Sequence, residues 1–134
     1  MNDLVSQETI DAYQADGVVF IKGLFADWVP ALTRGVEQNL DQPGPDGKLY
    51  HDDGGRRFLS DYCNWQRIPE YEDFLKHSRC AELAAALMES DTARLFHEHV
   101  LVKDAGAQIP TPWHHDQPYY CVDGRQNVSI WIPL

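Results

Sequence analysis

The order of patterns along the chain predicts an α+β fold, with a helical layer packed against a sheet or barrel. Three observations carry that expectation. Residues 1–91 hold amphipathic stretches with helix starts and stops, residues 92–134 hold apolar and aromatic runs at strand spacing, and turn formers separate them. A length of 134 residues suits one domain large enough to bury a core, and 43% hydrophobic with 11% aromatic residues is a globular composition.

Ser6 is placed to cap a helix over residues 7–16, with Ile10 and Tyr13 on one face and Gly17 as the stop. Val18–Ile21 reads as a short apolar strand ended by Gly23. Asp27 is the expected cap of a second helix running to about Asn39, because Trp28, Leu32, Val36 and Leu40 recur at helical spacing. Residues 41–56 are rich in Gly, Pro and Asp and read as a loop. Arg57–Cys63 is strand-like, Pro69 suits the first turn of a helix over residues 70–76, and residues 80–88 give the strongest helical pattern. Beyond Asp91, residues 94–103, 113–122 and 126–134 read as three strands, with Asp104–Gly106 and Asp123–Gly124 as turns.

The chemistry concentrates in Thr111-Pro-Trp-His-His-Asp-Gln-Pro-Tyr-Tyr120. Side chains alternate faces along a strand, so His114 and Asp116 are expected on one side, with Trp113 and His115 on the other. An imidazole beside a carboxylate on one face makes up two thirds of the 2-His-1-carboxylate triad that leaves open positions on iron(II). The pattern recurs at His51-Asp-Asp53, but among turn formers, where solvated surface is the expectation. The same alternation puts His97, His99, Leu101 and Lys103 on one face and Asn127, Ser129 and Trp131 on another. Val128, Ile130 and Ile132 then pack under the helices.

A net charge of −10 argues against nucleic acid and against an anionic membrane surface, both of which need clustered Lys and Arg. No export signal and no apolar run near membrane-spanning length is present. Cys63, Cys80 and Cys121 have no C-x-x-C spacing and read as reduced thiols in a cytoplasmic protein.

With Val100–Gly106, Thr111–Tyr120 and Val128-Ser-Ile-Trp-Ile-Pro-Leu134 in family order, and likeness extending through Gly54–Phe58 and Trp65–Glu70, the chain resembles the phytanoyl-CoA dioxygenase family. Position 115 is His where that family often has Gln. The resemblance implies a double-stranded β-helix (jelly-roll) core, with the N-terminal helices packed on its first strands. It implies iron(II) as metal, 2-oxoglutarate as co-substrate, and oxygen plus a small organic molecule as partners. By position, His114 and Asp116 resemble the first two iron ligands, and Trp131 the tryptophan lining the co-substrate pocket. His99 takes a place bordering 2-oxoglutarate, and Lys103 matches a common lysine.

In the family a second histidine ligand and an arginine for the 2-oxoglutarate carboxylate come later than the segment ending at Leu134. Residues 1–134 are therefore expected to be one incomplete oxygenase domain, 1–91 mainly helical and 92–134 its first core strands. The resemblance also implies hydroxylation rather than halogenation, because related halogenases replace the carboxylate that Asp116 supplies here.

Two other readings stand beside this one: a cupin-like three-histidine site from His97, His99 and His114, and a jelly-roll binding module without catalysis. Oxygen use without a co-substrate marks the first, and failure to take up iron marks the second. The sequence selects neither a substrate nor an oligomeric state.

Overall fold

The computed structural model describes residues 4–134. Four α-helices, α1 (Gln7–Asp16), α2 (Val29–Asp41), α3 (Pro69–His77) and α4 (Cys80–Leu87), pack against a small antiparallel sheet of β1 (Lys48–His51), β2 (Arg57–Tyr62) and β3 (His99–Lys103), with β2 in the centre. The α+β class is as the sequence predicts. The described residues show this sheet and not a double-stranded β-helix.

Local chemistry sets the helix ends. The Ser6 side chain accepts a hydrogen bond from the Thr9 N–H, and Gly17, at φ 74°, closes α1 in the left-handed region that glycine tolerates. The expected Asp27 cap is not used. A 3-10 turn over Ala26–Trp28 leads instead into α2, which begins at Val29 with a proline in its first turn. Trp28, Leu32 and Val36 nevertheless share the buried face, meeting Ile68, Tyr71 and Phe74. Gly35 lets α2 approach α3, because a Cβ there would stand 2.6 Å from the Tyr71 ring.

Three strand expectations need correcting. Val18–Ile21 joins no ladder, the third strand begins at His99 rather than Arg94, and neither 113–122 nor 126–134 forms a strand. A strand needs a hydrogen-bonded neighbour, and the ladders among the described residues join only β1, β2 and β3. Conversely, the expected loop of residues 41–56 contains β1, with Lys48 paired to Ser60 and His51 to Arg57.

The registers fix two faces. Leu59, Asp61 and Val100 look toward the helices, where Leu59 is buried and Val100 packs on the helical core. Lys48, Tyr50, Phe58, Ser60, Tyr62, His99, Leu101 and Lys103 share the opposite face. Val128, Ile130 and Ile132 pack on the two core clusters beneath the helices, as alternation predicts, although their segment has no ladder.

Asp61 is fully buried. Its carboxylate accepts hydrogen bonds from Asn39 Nδ2 (2.7 Å), the Gly44 N–H (2.7 Å) and the Tyr62 N–H (2.9 Å), and Arg67 Nη2 stands 3.8 Å away. Burial pushes its carboxyl up. The bonds from Asn64, Gly44, Asn39 and Tyr62 outweigh that and hold it below the usual carboxylate range.

A group with a depressed folded pKa stabilises above its unfolded value, ~4, and loses that contribution as pH falls through the folded one. Asp61→Ala is therefore expected to cost about 3 kcal/mol near neutral pH, measured by urea denaturation. Asp61→Asn should cost less, with a gap from wild type that narrows as pH falls below ~4. A gap independent of pH would show that the charge on Asp61 does not stabilise the fold.

Candidate metal and co-substrate site

The face of the sheet away from the helices carries the polar groups. Period two in β2 turns Phe58, Ser60 and Tyr62 away from the helices because Leu59 and Asp61 turn toward them, and Ser60 is itself buried on that side. Ser60 Oγ and His99 Nε2 share a 2.9 Å hydrogen bond, and the Tyr62 ring stacks on His99 at 3.9 Å between centroids. Desolvation, and then the neighbouring His97, hold the His99 imidazole below its ordinary value even though the residue as a whole is exposed; Asp116 and Asp61 oppose the shift. Farther along β3, Lys103 Nζ donates to the Ile109 carbonyl at 2.7 Å and lies 4.7 Å over the Phe58 ring.

Residues 111–120 form a bend and a single 3-10 turn, Gln117–Tyr119, not a strand. Strand alternation therefore does not apply here, although two of the side chains it singled out meet. His114 Nε2 and Asp116 Oδ1 lie 3.4 Å apart, Trp113 is fully exposed, and His115 is exposed. His114 Nδ1 donates to the Pro112 carbonyl at 2.7 Å. A carbonyl only accepts, so in the neutral ring the proton is on Nδ1 and the Nε2 lone pair faces the carboxylate. Two acceptors converging in this way suit a shared cation, and an imidazole whose other nitrogen bonds a carbonyl is the usual form of a metal ligand.

The motif segment reaches the open face. Tyr120 packs edge-on against Phe96 (5.2 Å) and His97 (5.9 Å), and the charge of Asp116 acts on His99. Among the described residues no three His, Cys, Asp or Glu side chains gather to hold a metal, so His97, His99 and His114 are not brought into one cage. His99 Nε2 is engaged by Ser60. Trp131 is 86% exposed, on the side of its segment opposite Ile130 and Ile132.

The second His-x-Asp copy is more ordered than a turn-rich loop suggests. His51 ends β1, and the intervening Asp52 accepts the N–H groups of Gly54, Arg56 and Gln108 at 2.9 Å. His51 and Asp53 themselves are exposed. Ser60, Tyr62 and Tyr120 were not singled out from sequence, although period two in Phe58-Leu-Ser-Asp-Tyr62 already marks Ser60 and Tyr62 as facing away from buried Leu59.

The model of one protein family, described as Phytanoyl-CoA dioxygenase (PhyH), matches residues 13–134. No curated protein and no solved structure matches the chain.

The exposure pattern predicts a fluorescence result. Trp113 and Trp131 are exposed, whereas Trp28 and Trp65 pack on the core. Trp113→Phe and Trp131→Phe should each remove part of the emission most readily quenched by acrylamide, and the double variant should leave only slowly quenched emission. Efficient quenching that persists in the double variant would mean that the core tryptophans are accessible.

Proposed function

The chain belongs to the phytanoyl-CoA dioxygenase family, a family of oxygenases, and on that premise we propose that it is an iron(II)- and 2-oxoglutarate-dependent dioxygenase that hydroxylates a small organic molecule. The observation that carries the reading is the convergence of His114 Nε2 and Asp116 Oδ1, with the His114 proton fixed on the far nitrogen by Pro112. Bound there, iron(II) supplies oxygen activation coupled to oxidation of the 2-oxo acid.

The chain's own residues have separable tasks in this proposal. His114 and Asp116 hold the metal, and the Pro112 carbonyl orients the imidazole and raises its basicity. His99, fixed by Ser60 and Tyr62, borders the co-substrate. Trp131 forms an apolar wall, and Lys103, tethered to Ile109, supplies a positive charge at the far end of the open face. Two ligands hold iron weakly. We propose that a further histidine and a carboxylate-binding arginine from outside these 134 residues complete the site, and that the open sheet face forms one wall of a jelly roll. Asp116 as a carboxylate ligand favours hydroxylation as the outcome.

The described residues contain no helix long and apolar enough to cross a membrane, and the three cysteines are free thiols. Both suit the proposed cytoplasmic setting.

The test is anaerobic iron(II) titration together with 2-oxoglutarate-dependent succinate release, on the protein at its complete natural length. His114→Ala and Asp116→Ala should each lower iron affinity and turnover more than ~100-fold, beyond the loss typical of an outer-shell partner. His115→Ala and His51→Ala should stay within about threefold, as exposed residues off the site. Loss of activity in folded His115→Ala would shift the ligand register by one. Absence of iron binding in the wild type would remove the oxygenase reading.

A further inference from the structure

The middle residue of His51-Asp-Asp53 has no part in the function proposed above, yet its side chain is only 6% exposed while both neighbours are exposed. Asp52 accepts the N–H groups of Gly54 and Arg56 within its own turn, and that of Gln108 from 56 residues away, each at 2.9 Å. The bonds from Gln108 and then Arg56 hold its carboxyl below the ordinary carboxylate range, against desolvation, so the acceptor is charged. One residue on, the Ile109 carbonyl accepts from Lys103 Nζ at 2.7 Å. Upstream, Arg57 donates to the Asp104 carboxylate from its N–H at 2.8 Å and from Nε at 3.1 Å. The chain is thus fastened to the sheet as far as residue 109.

Beyond that point residues 110–119 are all exposed, and among the described residues their hydrogen bonds stay within residues 110–122. Tyr120 then packs on Phe96 and His97. The two attachments lie at opposite ends of β3, which spans roughly 13 Å from His99 to Lys103. Residues 109–120 therefore form a strap held at its ends, with His114 and Asp116 in its span. Pro110 and Pro112 fix their own φ and keep Ile109 and Thr111 out of the helical region. A displacement at residue 109 is carried to His114 rather than absorbed on the way.

We propose that Asp52 and Lys103 are positioning residues for the His114–Asp116 pair: they anchor the near end of this strap, Tyr120 docks the far end, and the span sets where the two ligands stand. This rests on the oxygenase reading above and adds to it the residues that place its metal ligands. Without the anchor, the metal would have to order the whole exposed segment itself, which lowers its affinity.

His97 stands at the far end from Asp52 and Lys103, so its ring reports the strap without iron or turnover. In the metal-free protein at its complete natural length, NMR of the His97 ring C–H groups gives the docked position in wild type and the undocked position in Tyr120→Ala. Asp52→Ala and Lys103→Met should each move the His97 signals toward the Tyr120→Ala position. Lys103→Arg keeps a donor for Ile109 and should return them toward wild type. Lys103→Met removes one exposed tether, and carries the test if Asp52→Ala fails to fold. Cobalt(II), titrated alone, then reads the ligand pair. Each single variant should weaken cobalt(II) binding about tenfold, as outer-shell partners do. The double variant should add little more, because both residues act through one anchor.

His97 signals unmoved in both variants would overturn the proposal, as would unchanged cobalt(II) affinity in variants whose His97 signals have moved. A wild type that binds neither cobalt(II) nor iron(II) would remove the oxygenase reading instead, and the His97 signals would still show whether the strap is anchored at Asp52 and Lys103.

Discussion

One buried carboxylate constrains the rest of this structure. Asp61 sits on the central strand, and moving an unpaired carboxylate out of water costs several kcal/mol. The fold meets that cost with donors from separate segments: Asn39 at the end of α2, the Gly44 N–H in the following turn, and the strand's own Tyr62 N–H, with Arg67 before α3 nearby. Tyr71 in turn reaches Asn39, and Asn64 is bonded by Arg67. Strand and helices cannot slide past one another without stripping donors from a charge. Because Asp61 must point at the helices, period two sends Ser60 and Tyr62 the other way. A charge inside thus decides which groups meet His99 outside.

Apolar burial does the same for a segment that lacks a ladder. Val128, Ile130 and Ile132 enter the core while Ser129 and Trp131 face away, although residues 126–134 pair with no strand. These side chains are partly buried, so each contributes a fraction of the about 1.5–3 kcal/mol of full burial, comparable with the about 1 kcal/mol net of a backbone hydrogen bond. Facing can therefore be set without pairing. That explains how the open side can collect Lys48, Ser60, Tyr62, His99 and Lys103 with only three short strands in place.

What the sequence made legible follows the same division. Helix α1 was readable to the residue because Ser6 and Gly17 act within one turn of the chain. Helices α3 and α4 followed from Pro69 and from a run of strong helix formers, Cys80-Ala-Glu-Leu-Ala-Ala-Ala-Leu87. The strands were less readable because a strand is defined by its neighbour. The aromatic run at 113–122 has strand composition and no ladder partner among the described residues, while Lys48–His51 sits among turn formers and pairs with β2. The likeness read from the motifs agrees with the family match over residues 13–134. At the candidate site, strand alternation was the reason for pairing His114 with Asp116, but the segment is a bend and a 3-10 turn, so their 3.4 Å approach comes from a backbone that the spacing did not show. The Ser60–His99 bond was not legible either, because it joins residues 39 apart in sequence and depends on sheet register.

The His114–Asp116 pair is held quite differently from Asp61. Both side chains are about half exposed, at 41% and 54%, and an ion pair in such a setting is worth at most about 1 kcal/mol. That is too little to offset ordering two side chains and a loop. The geometry therefore has to come from the backbone: prolines at 112 and 118 limit the chain on either side, and the Pro112 carbonyl fixes the imidazole. With the proton on Nδ1, the pair presents two acceptors and no donor between them. On a chain of net charge −10 that arrangement repels itself slightly and attracts a cation. The fold thus supplies orientation and leaves the final organisation of the site to the ion it would hold.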